Sequence, residues 1–350
     1  MKKKVFGIGL MSGTSLDGLD VCYVRFDDYK TFEILYAQTI LYEQEMQEQL
    51  KKCKNFSAED LQAFDVVYGY FLGNKIKEFI QFHAIEELDF VASHGHTVFH
   101  QPNRNFTLQI GHGAAIKSFL DCPVVCDFRS QDVILGGQGA PLVPFGDMNL
   151  FSEYDACLNL GGFSNISFQK NQQRVAFDIS PFNTVLNYFA QQLNYNFDEN
   201  GRLASTGKIE PSMLSELNQL AYYQQSYPKS LGYENLIAWY FPIFERYALS
   251  VPDFLHTFSV HVAEQIVHIT QENSFSSVLL TGGGALNTFF VELLQTSSST
   301  NFILPEKKII DYKEALIFAY LGWMKLEGKV NCLSSVTGAN IDHSSGVIYS

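Results

Sequence analysis

Apolar and polar positions fall into coherent blocks along this chain, and the first block is the most telling. Residues 5–11 (VFGIGLM) form an apolar run that breaks at a polar turn containing Ser12, Gly13, Thr14, Ser15, Asp17 and Gly18, and a second apolar run (19–26) follows at once. This is the pattern of two strands joined by a tight turn, with glycines where positive φ or close backbone approach is needed. The layout returns at residues 156–168, where ACLNL, the turn GGFSN and ISF follow one another. A third strand-like run, residues 277–280, enters TGGG and then the helix-like ALNTFFVELL. The first two turns read as matching hairpins from two related halves, and the third opens a helix.

The remaining pattern fills in around these junctions. Residues 32–40, 88–93 and 122–128 read as strands, 109–120 as a short helix, and 57–83 as a long amphipathic helix capped by Ser57. In the second half, residues 155–160, 164–168 and 174–179 form three consecutive strands. Helices are predicted at 184–193, 212–225, 253–272 and 285–295, and a final one at 312–327. Strands in series followed by alternating helices and strands predict an α/β domain built twice, and 350 residues suit two domains. The expected division is 1–127 plus 312–350 for domain I and 128–311 for domain II, with the boundary in loop-like sequence.

Composition narrows the function. A net charge of −13 argues against nucleic acid or anionic membrane as a partner. It also means that an anionic ligand must be held by local amides, a metal and a few cations. No segment reaches transmembrane length. The apolar stretch after MKKK is too short for a secretory signal and runs directly into the polar turn, so it reads as a strand of the mature protein. The six cysteines are scattered and read as reduced cytosolic thiols. Cys122 and Cys126 have no second pair to complete a zinc site. A soluble cytoplasmic enzyme is the expectation.

Candidate chemistry concentrates at the turns. Exposed amides and hydroxyls in the first turn can cradle a polyphosphate, and Asp17 and Asp20 offer carboxylates to Mg²⁺; taken alone, the same turn is an ordinary hairpin. No junction has the order of a P-loop or of a dinucleotide-binding fold, which leaves a nucleotide gripped between two hairpins. Asp178 ends the run RVAFD before Ile179-Ser180-Pro181-Phe182-Asn183. It is placed either to face a cleft or to cap the next helix, and Asn183 could do the capping as well. His94, His96, His100 and His112 lack the partners of a zinc motif. Lys229, near a turn, is either a solvated loop lysine or a contact for sugar or phosphate.

The blocks MSGTSLDGLD, SHGHT, QIGHGA, DFRSQD, GGQGAPLVP, NLGGFSN, TGGGALN and DYKEALIFAYLG occur in the order, and over nearly the whole length, of the anhydro-N-acetylmuramic acid kinase family, which the chain resembles. The resemblance implies the two-domain actin/hexokinase-like (ribonuclease H-like) ATPase fold, with the active site in the interdomain cleft. It implies a homodimeric cytoplasmic kinase of cell-wall sugar recycling that uses ATP and Mg²⁺. In that reading Gly13, Thr14, Ser15, Leu16, Asp17 and Gly18 hold the β- and γ-phosphates, with Mg²⁺ bound to Asp17 through water. Asn159, Gly161, Gly162 and Asn165 face them from the second hairpin. Gly282, Gly283 and Gly284 let adenosine approach the backbone, and Asn287 hydrogen-bonds it.

Asp178 aligns with the family's general base. His94 and His96 line the cleft and are expected to contact the substrate. Arg129 and Asp132 suit sugar hydroxyls and the lactyl carboxylate, or else form a local ion pair. Glu314, an acid on an apolar helix face, is a sugar contact or a helix-start charge. Where the family usually has Thr-Gly-Pro-Gly-Asn after the base, this chain has Ile-Ser-Pro-Phe-Asn, so Phe182 narrows backbone freedom or fills space at the substrate. An ordinary ionised Asp178 suffices for the family's reaction. Two alternatives stay open: a kinase of the same fold for another sugar, and a sugar- or nucleotide-binding regulator without turnover.

Overall fold

A computed structural model describes residues 4–13, 16 and 18–350. The chain divides into two compact units, Met1–Ser152 with Tyr312–Ser350, and Glu153–Asp311. Residues 128–152 therefore belong with the first unit, where the sequence pattern had assigned them to the second. Side chains far apart in sequence tie them there. Asp132 accepts a hydrogen bond from Thr337 at 2.7 Å, and a Cβ on Gly146 would lie 2.6 Å from Ile317.

The first unit contains a seven-stranded mixed sheet. Its strands are β1 (Val5–Ser12), β2 (Gly18–Phe26), β3 (Phe32–Leu41), β4 (Phe90–Gln101), β5 (Phe106–Ile110), β6 (Val124–Cys126) and a C-terminal strand, Val347–Tyr349. Their order is C-terminal strand–β6–β4–β1–β2–β3, with β5 paired to β4. Helix α1 (Ala58–Phe82) starts as expected at Ser57, whose Oγ accepts from the amide of Asp60 at 3.1 Å. The long helix Lys307–Leu326 packs backbone to backbone on β1 at Ala315, in the part that belongs to this unit. A Cβ on Gly9 would sit 1.9 Å from the carbonyl oxygen of Ala315, so only glycine permits this approach. β4 runs eight residues beyond the predicted end at Ser93, and Gln109–Ile110 close β5 instead of opening a helix. The polar SHGHT sequence hides that strand, because its side chains are buried by partners remote in sequence.

The second unit has a five-stranded sheet ordered β11–β10–β7–β8–β9. The strands are β7 (Ala156–Leu160), β8 (Phe163–Lys170), β9 (Gln173–Pro181), β10 (Ser277–Thr281) and β11 (Asn301–Ile303). Alternation puts Leu158, Leu160, Ile166, Phe177 and Ile179 into a core with Phe258, Val262 and Ile266 of the long helix Val251–Glu272. Each unit thus has an antiparallel meander whose first strand pairs in parallel with a later strand: β1–β2–β3 with β4, and β7–β8–β9 with β10. That repeat is the duplication expected from the matching hairpins.

Candidate functional site

Asp178 does not end its strand. β9 continues through it to Pro181, and the pairing of Asn165 with Asp178 but of Ser164 with Ser180 leaves Ile179 as an extra residue. Such a bulge bends the strand and re-aims a side chain. Asn159 pairs with Asn165, Asn165 with Asp178, and Asn159 also with Thr281 on β10. Residues directly opposite one another share a face of the sheet, so Thr281, Asn159, Asn165 and Asp178 form one polar row across four strands. The Asp178 carboxylate accepts from the amide of Leu231 at 2.9 Å, and the Asp178 carbonyl accepts from the Tyr222 hydroxyl at 2.5 Å. Burial pushes the Asp178 carboxyl above the ordinary carboxylate range, with the Leu231 amide pulling it partly back. It is therefore a more basic carboxylate than the ordinary one expected.

The sequence drew attention to Lys229 for its charge, but Leu231 supplies the contact to the Asp178 carboxylate, and Lys229 meets Asp178 only through its carbonyl, which accepts from the Asp178 amide at 3.3 Å. Lys229 lies over the Tyr222 ring at 4.6 Å and donates to the Tyr222 carbonyl at 3.2 Å. Burial lowers its pKa. Leu231 and Tyr222 carry no motif, and 53 and 44 residues separate them from Asp178. Nothing local in the sequence marks them.

Of the glycine turns, TGGG is the most constrained. Gly282 has φ 80° and ψ 162°, a region suited only to glycine, and a Cβ there would meet Asn159 Oδ1 at 2.6 Å. Around a Cβ on Gly283 there is nothing within 4 Å, while one on Gly284 would lie 2.4 Å from Phe182. Asn287 caps the helix α2 (Thr288–Ser297), its Oδ1 accepting from Phe290 at 3.1 Å. In the second hairpin Gly161 and Gly162 are not left-handed. Their carbonyls accept from the amides of Phe182, Asn183 and Thr184 and so fasten the turn to the following helix, Asn183–Ala190. Asn183 is its first residue and donates to the Leu160 carbonyl at 3.1 Å, which leaves capping aside.

Phe182, the departure from the family pattern, points into the core. It is fully buried, 4.4 Å from the Phe290 ring. It fills the space beneath Gly284 and does not project with the polar row.

In the first hairpin, Thr14, Ser15 and Asp17 lie outside the described residues. Leu16 has φ 59°, and its amide donates to the Gly13 carbonyl at 3.4 Å. A Cβ on Gly18 would lie 2.6 Å from the Ile40 carbonyl. Asp20 accepts from Thr39 at 2.6 Å. Ser12, just before the turn, accepts from Tyr42 at 2.8 Å and is 3.1 Å from His96 Nδ1. Tyr42 is in turn 2.7 Å from Tyr68. Burial holds His96 at about 4, so it is neutral at neutral pH.

His94 belongs to a different cluster. Arg129 donates from Nε to His94 Nε2 at 2.8 Å and from Nη1 to the Gly139 carbonyl at 2.6 Å, and His94 Nδ1 is 2.9 Å from the Gly95 carbonyl. A neutral imidazole with its proton on Nδ1 satisfies all three contacts. Burial and the Arg129 charge drive the His94 pKa well down. Glu314 is solvent-exposed, although enough protein surrounds it for desolvation to raise its pKa against the pull of Lys313 and Arg129. The buried charge on that helix is Lys313, paired with Asp147 at 3.1 Å.

Asp132 is fully buried. Oδ2 accepts from the amide of Gly139 at 2.7 Å, and Oδ1 accepts from Thr337 and Cys332. It neither pairs with Arg129 nor reaches solvent, so the direct sugar contact expected of it is corrected: both residues hold Gly139, one by its amide and one by its carbonyl.

A sequence profile for anhydro-N-acetylmuramic acid kinase matches residues 5–350. The chain belongs to the anhydro-N-acetylmuramic acid kinase family. It is similar to the anhydro-N-acetylmuramic acid kinase of Francisella tularensis subsp. novicida, with 32% identity over 97% of each chain. Identity is 32% to that of Hydrogenovibrio crunogenus, over 98% of this chain and 97% of the relative, and 30% to that of Bacillus cereus, over 95% of each. Among solved structures, a ROK family glucokinase from Streptomyces griseus in complex with glucose and AMPPNP aligns with 90% of this chain and 98% of its own, at 10% identity and a TM-score of 0.42. Component A of (R)-2-hydroxyglutaryl-CoA dehydratase from Acidaminococcus fermentans covers 90% and 96% at 11% identity and a TM-score of 0.46.

Proposed function

We propose that this protein is an ATP- and Mg²⁺-dependent kinase of cell-wall sugar recycling that hydrolytically opens 1,6-anhydro-N-acetylmuramic acid and phosphorylates O6, giving N-acetylmuramic acid 6-phosphate. Membership of the family supports the substrate, and the placement of Asp178 supports the chemistry. That one carboxylate stands in a polar row beside the second hairpin, held by the Leu231 amide, with its basicity raised by burial.

A 1,6-anhydro sugar has no free 6-hydroxyl, so the acceptor must be created during the reaction. Water attacks the anomeric carbon, the bond from that carbon to the bridge oxygen breaks, and the oxygen takes the γ-phosphoryl group as that group's bond to the β,γ-bridging oxygen breaks and ADP leaves. The water proton goes to Asp178. A glycosidase needs a second carboxyl to protonate its leaving group; here phosphoryl transfer captures the alkoxide instead. A raised pKa improves Asp178 as a base; general-base catalysis as a whole contributes of order 10²–10⁴-fold, and positioning and charge stabilisation supply the rest.

We assign Asn159, Gly161, Gly162 and Asn165 of the second hairpin, and Gly13, Thr14, Ser15, Leu16, Asp17 and Gly18 of the first, to the phosphates. Hard carboxylate and amide oxygens suit Mg²⁺, which would be held through Asp17 and water and would neutralise charge on the β- and γ-phosphates. Gly283, with open space around it, is the adenosine approach, while Gly282 and Gly284 shape the backbone there and Asn287 holds the helix behind. His94 orients Arg129 toward the lactyl carboxylate, and Glu314 takes a sugar hydroxyl. His96 steadies Ser12 beneath the phosphate turn. We read the two repeated units as the halves of an actin/hexokinase-like ATPase, working as a cytoplasmic homodimer. Among the described residues no helix is long and apolar enough to cross a membrane.

The test is ATP-dependent turnover of 1,6-anhydro-N-acetylmuramic acid in ¹⁸O-labelled water. Label at C1 of a 6-phosphorylated product is expected. ATP binding without any product from this sugar refutes the assignment and leaves a kinase for another sugar or a regulator.

A further inference from the structure

Asp132, Cys332 and His343 meet in the first unit, remote from one another in sequence and each buried. Cys332 Sγ lies 3.1 Å from Asp132 Oδ1, and His343 Nε2 lies 3.8 Å from the same oxygen. The three ligand atoms all fall within 4.8 Å of one another. Cys332 and His343 face each other in an isolated antiparallel bridge, their amides and carbonyls exchanging hydrogen bonds at 3.1 Å. Opposed residues in such a pair present their side chains on one face, so the backbone itself preorganises two of the three groups.

The His343 ring supplies a second, independent observation. Its Nδ1 is 3.2 Å from the Ile341 carbonyl, which fixes the proton on that nitrogen. Nε2 then carries a lone pair, is buried, and has no hydrogen-bond partner. An imidazole that donates from one nitrogen to a carbonyl and aims the bare other nitrogen at a carboxylate and a sulfur has the arrangement of a metal ligand. As a hydrogen-bonded network alone it leaves a buried polar atom unsatisfied.

The dimensions agree with a metal. Cys332 Sγ and His343 Nε2 lie 3.1 and 3.8 Å from Asp132 Oδ1, separations that two ligands bonded to one ion at ~2.0–2.3 Å can span. Sulfur and nitrogen donors select a borderline d-block ion over Mg²⁺ or Ca²⁺. We propose that Asp132, Cys332 and His343 form a binding site for one divalent transition-metal ion of the Zn²⁺ class, beside Thr337 Oγ1, which lies 2.7 Å from Asp132 Oδ1. On binding, the metal–sulfur bond forms as the Cys332 thiol proton leaves to solvent, and no electron is transferred. The ion staples the C-terminal segment to the short helix Ser130–Ile134. None of its three residues belongs to the proposed phosphate turns, and the inference stands whether or not the sugar assignment does.

The experiment uses the untagged full-length protein stripped of metal, with no nucleotide or sugar present. Co²⁺ is titrated as a spectroscopic probe, and Zn²⁺ is then titrated against a chromophoric chelator. One equivalent of Co²⁺ with a thiolate-to-cobalt charge-transfer band, displaced by Zn²⁺ but not by Mg²⁺, is expected. Cys332→Ser should abolish the band, and His343→Gln should weaken Zn²⁺ binding by about tenfold or more. Zn²⁺ should raise the melting temperature of the wild type and not of His343→Gln, which keeps the proposal testable in unaltered protein if a variant folds poorly. Absence of a saturable equivalent in the wild type overturns it. So does a band of equal strength in Cys332→Ser, which would place the metal on another cysteine.

Discussion

Replacing Asp178 by asparagine should move activity and stability in opposite directions. Asn keeps the size of the side chain, and its Oδ1 can go on accepting the Leu231 amide, so the 2.9 Å contact survives. What is lost is the charge. Burial raises the Asp178 pKa in spite of that amide, so desolvation outweighs the hydrogen bond. The folded protein therefore holds this proton more tightly than the unfolded chain does. Stability falls as pH rises from the ordinary carboxylate value to the raised one, and above that window the penalty is fully present. At neutral pH the substitution removes the penalty, about 1.4 kcal/mol for each unit of the shift, less the small difference between a charged and a neutral acceptor. In the role proposed for Asp178 the same substitution should cost ~10²–10⁴ in turnover, or about 3–5 kcal/mol of transition-state stabilisation. ADP release with the anhydro sugar gives the first quantity, and thermal melts at pH 7 and at pH 4 give the second. The stabilisation should shrink at the lower pH, and the wild-type rate should rise with pH through a limb above the ordinary aspartate range. Turnover within tenfold of wild type, or a melting temperature lowered at pH 7, refutes the reasoning.

The glycines of TGGG offer a paired test. Gly282→Ala should cost ~1–3 kcal/mol from backbone strain alone, whereas Gly283→Ala should leave stability within ~0.5 kcal/mol and raise the KM for ATP. An unchanged ATP KM in Gly283→Ala removes that turn from the nucleotide site. Arg129→Ala leaves His94 Nε2 buried without its donor, for a loss of ~1–3 kcal/mol in a melt. It should also raise the KM for the sugar with that for ATP unchanged, and equal effects on both would remove Arg129 from sugar recognition. Phe182→Gly restores the residue usual in the family but empties a core position, so denaturant unfolding should show a loss of ~3–5 kcal/mol or more. Sugar preference should stay as it was, and a changed preference would return Phe182 to the substrate site.

The sequence alone determined what depends on neighbours along the chain. Apolar runs broken by Gly, Ser and Asp set β1–β2 and β7–β8, and Ser57 set the start of α1, because turn chemistry and capping act over a few residues. The repeated strand–turn–strand layout announced the duplicated meander, and the ordered motifs announced the family. Tertiary structure decided the rest. β4 runs on through buried His94 and His96, whose polarity conceals a strand until Ser12 and Arg129 are seen beside them. The Ile179 bulge, which puts Asp178 in line with Asn165, is a property of the pairing between two strands and of neither strand separately. Phe182 turns inward because Phe290 and Gly284 leave it a space, while Asp132 is enclosed by Thr337 and Cys332 from some 200 residues away. Local sequence encodes backbone preference at a residue. It does not encode which distant side chains will exclude water from it, and that exclusion sets the basicity of Asp178 and assembles the Asp132–Cys332–His343 cluster.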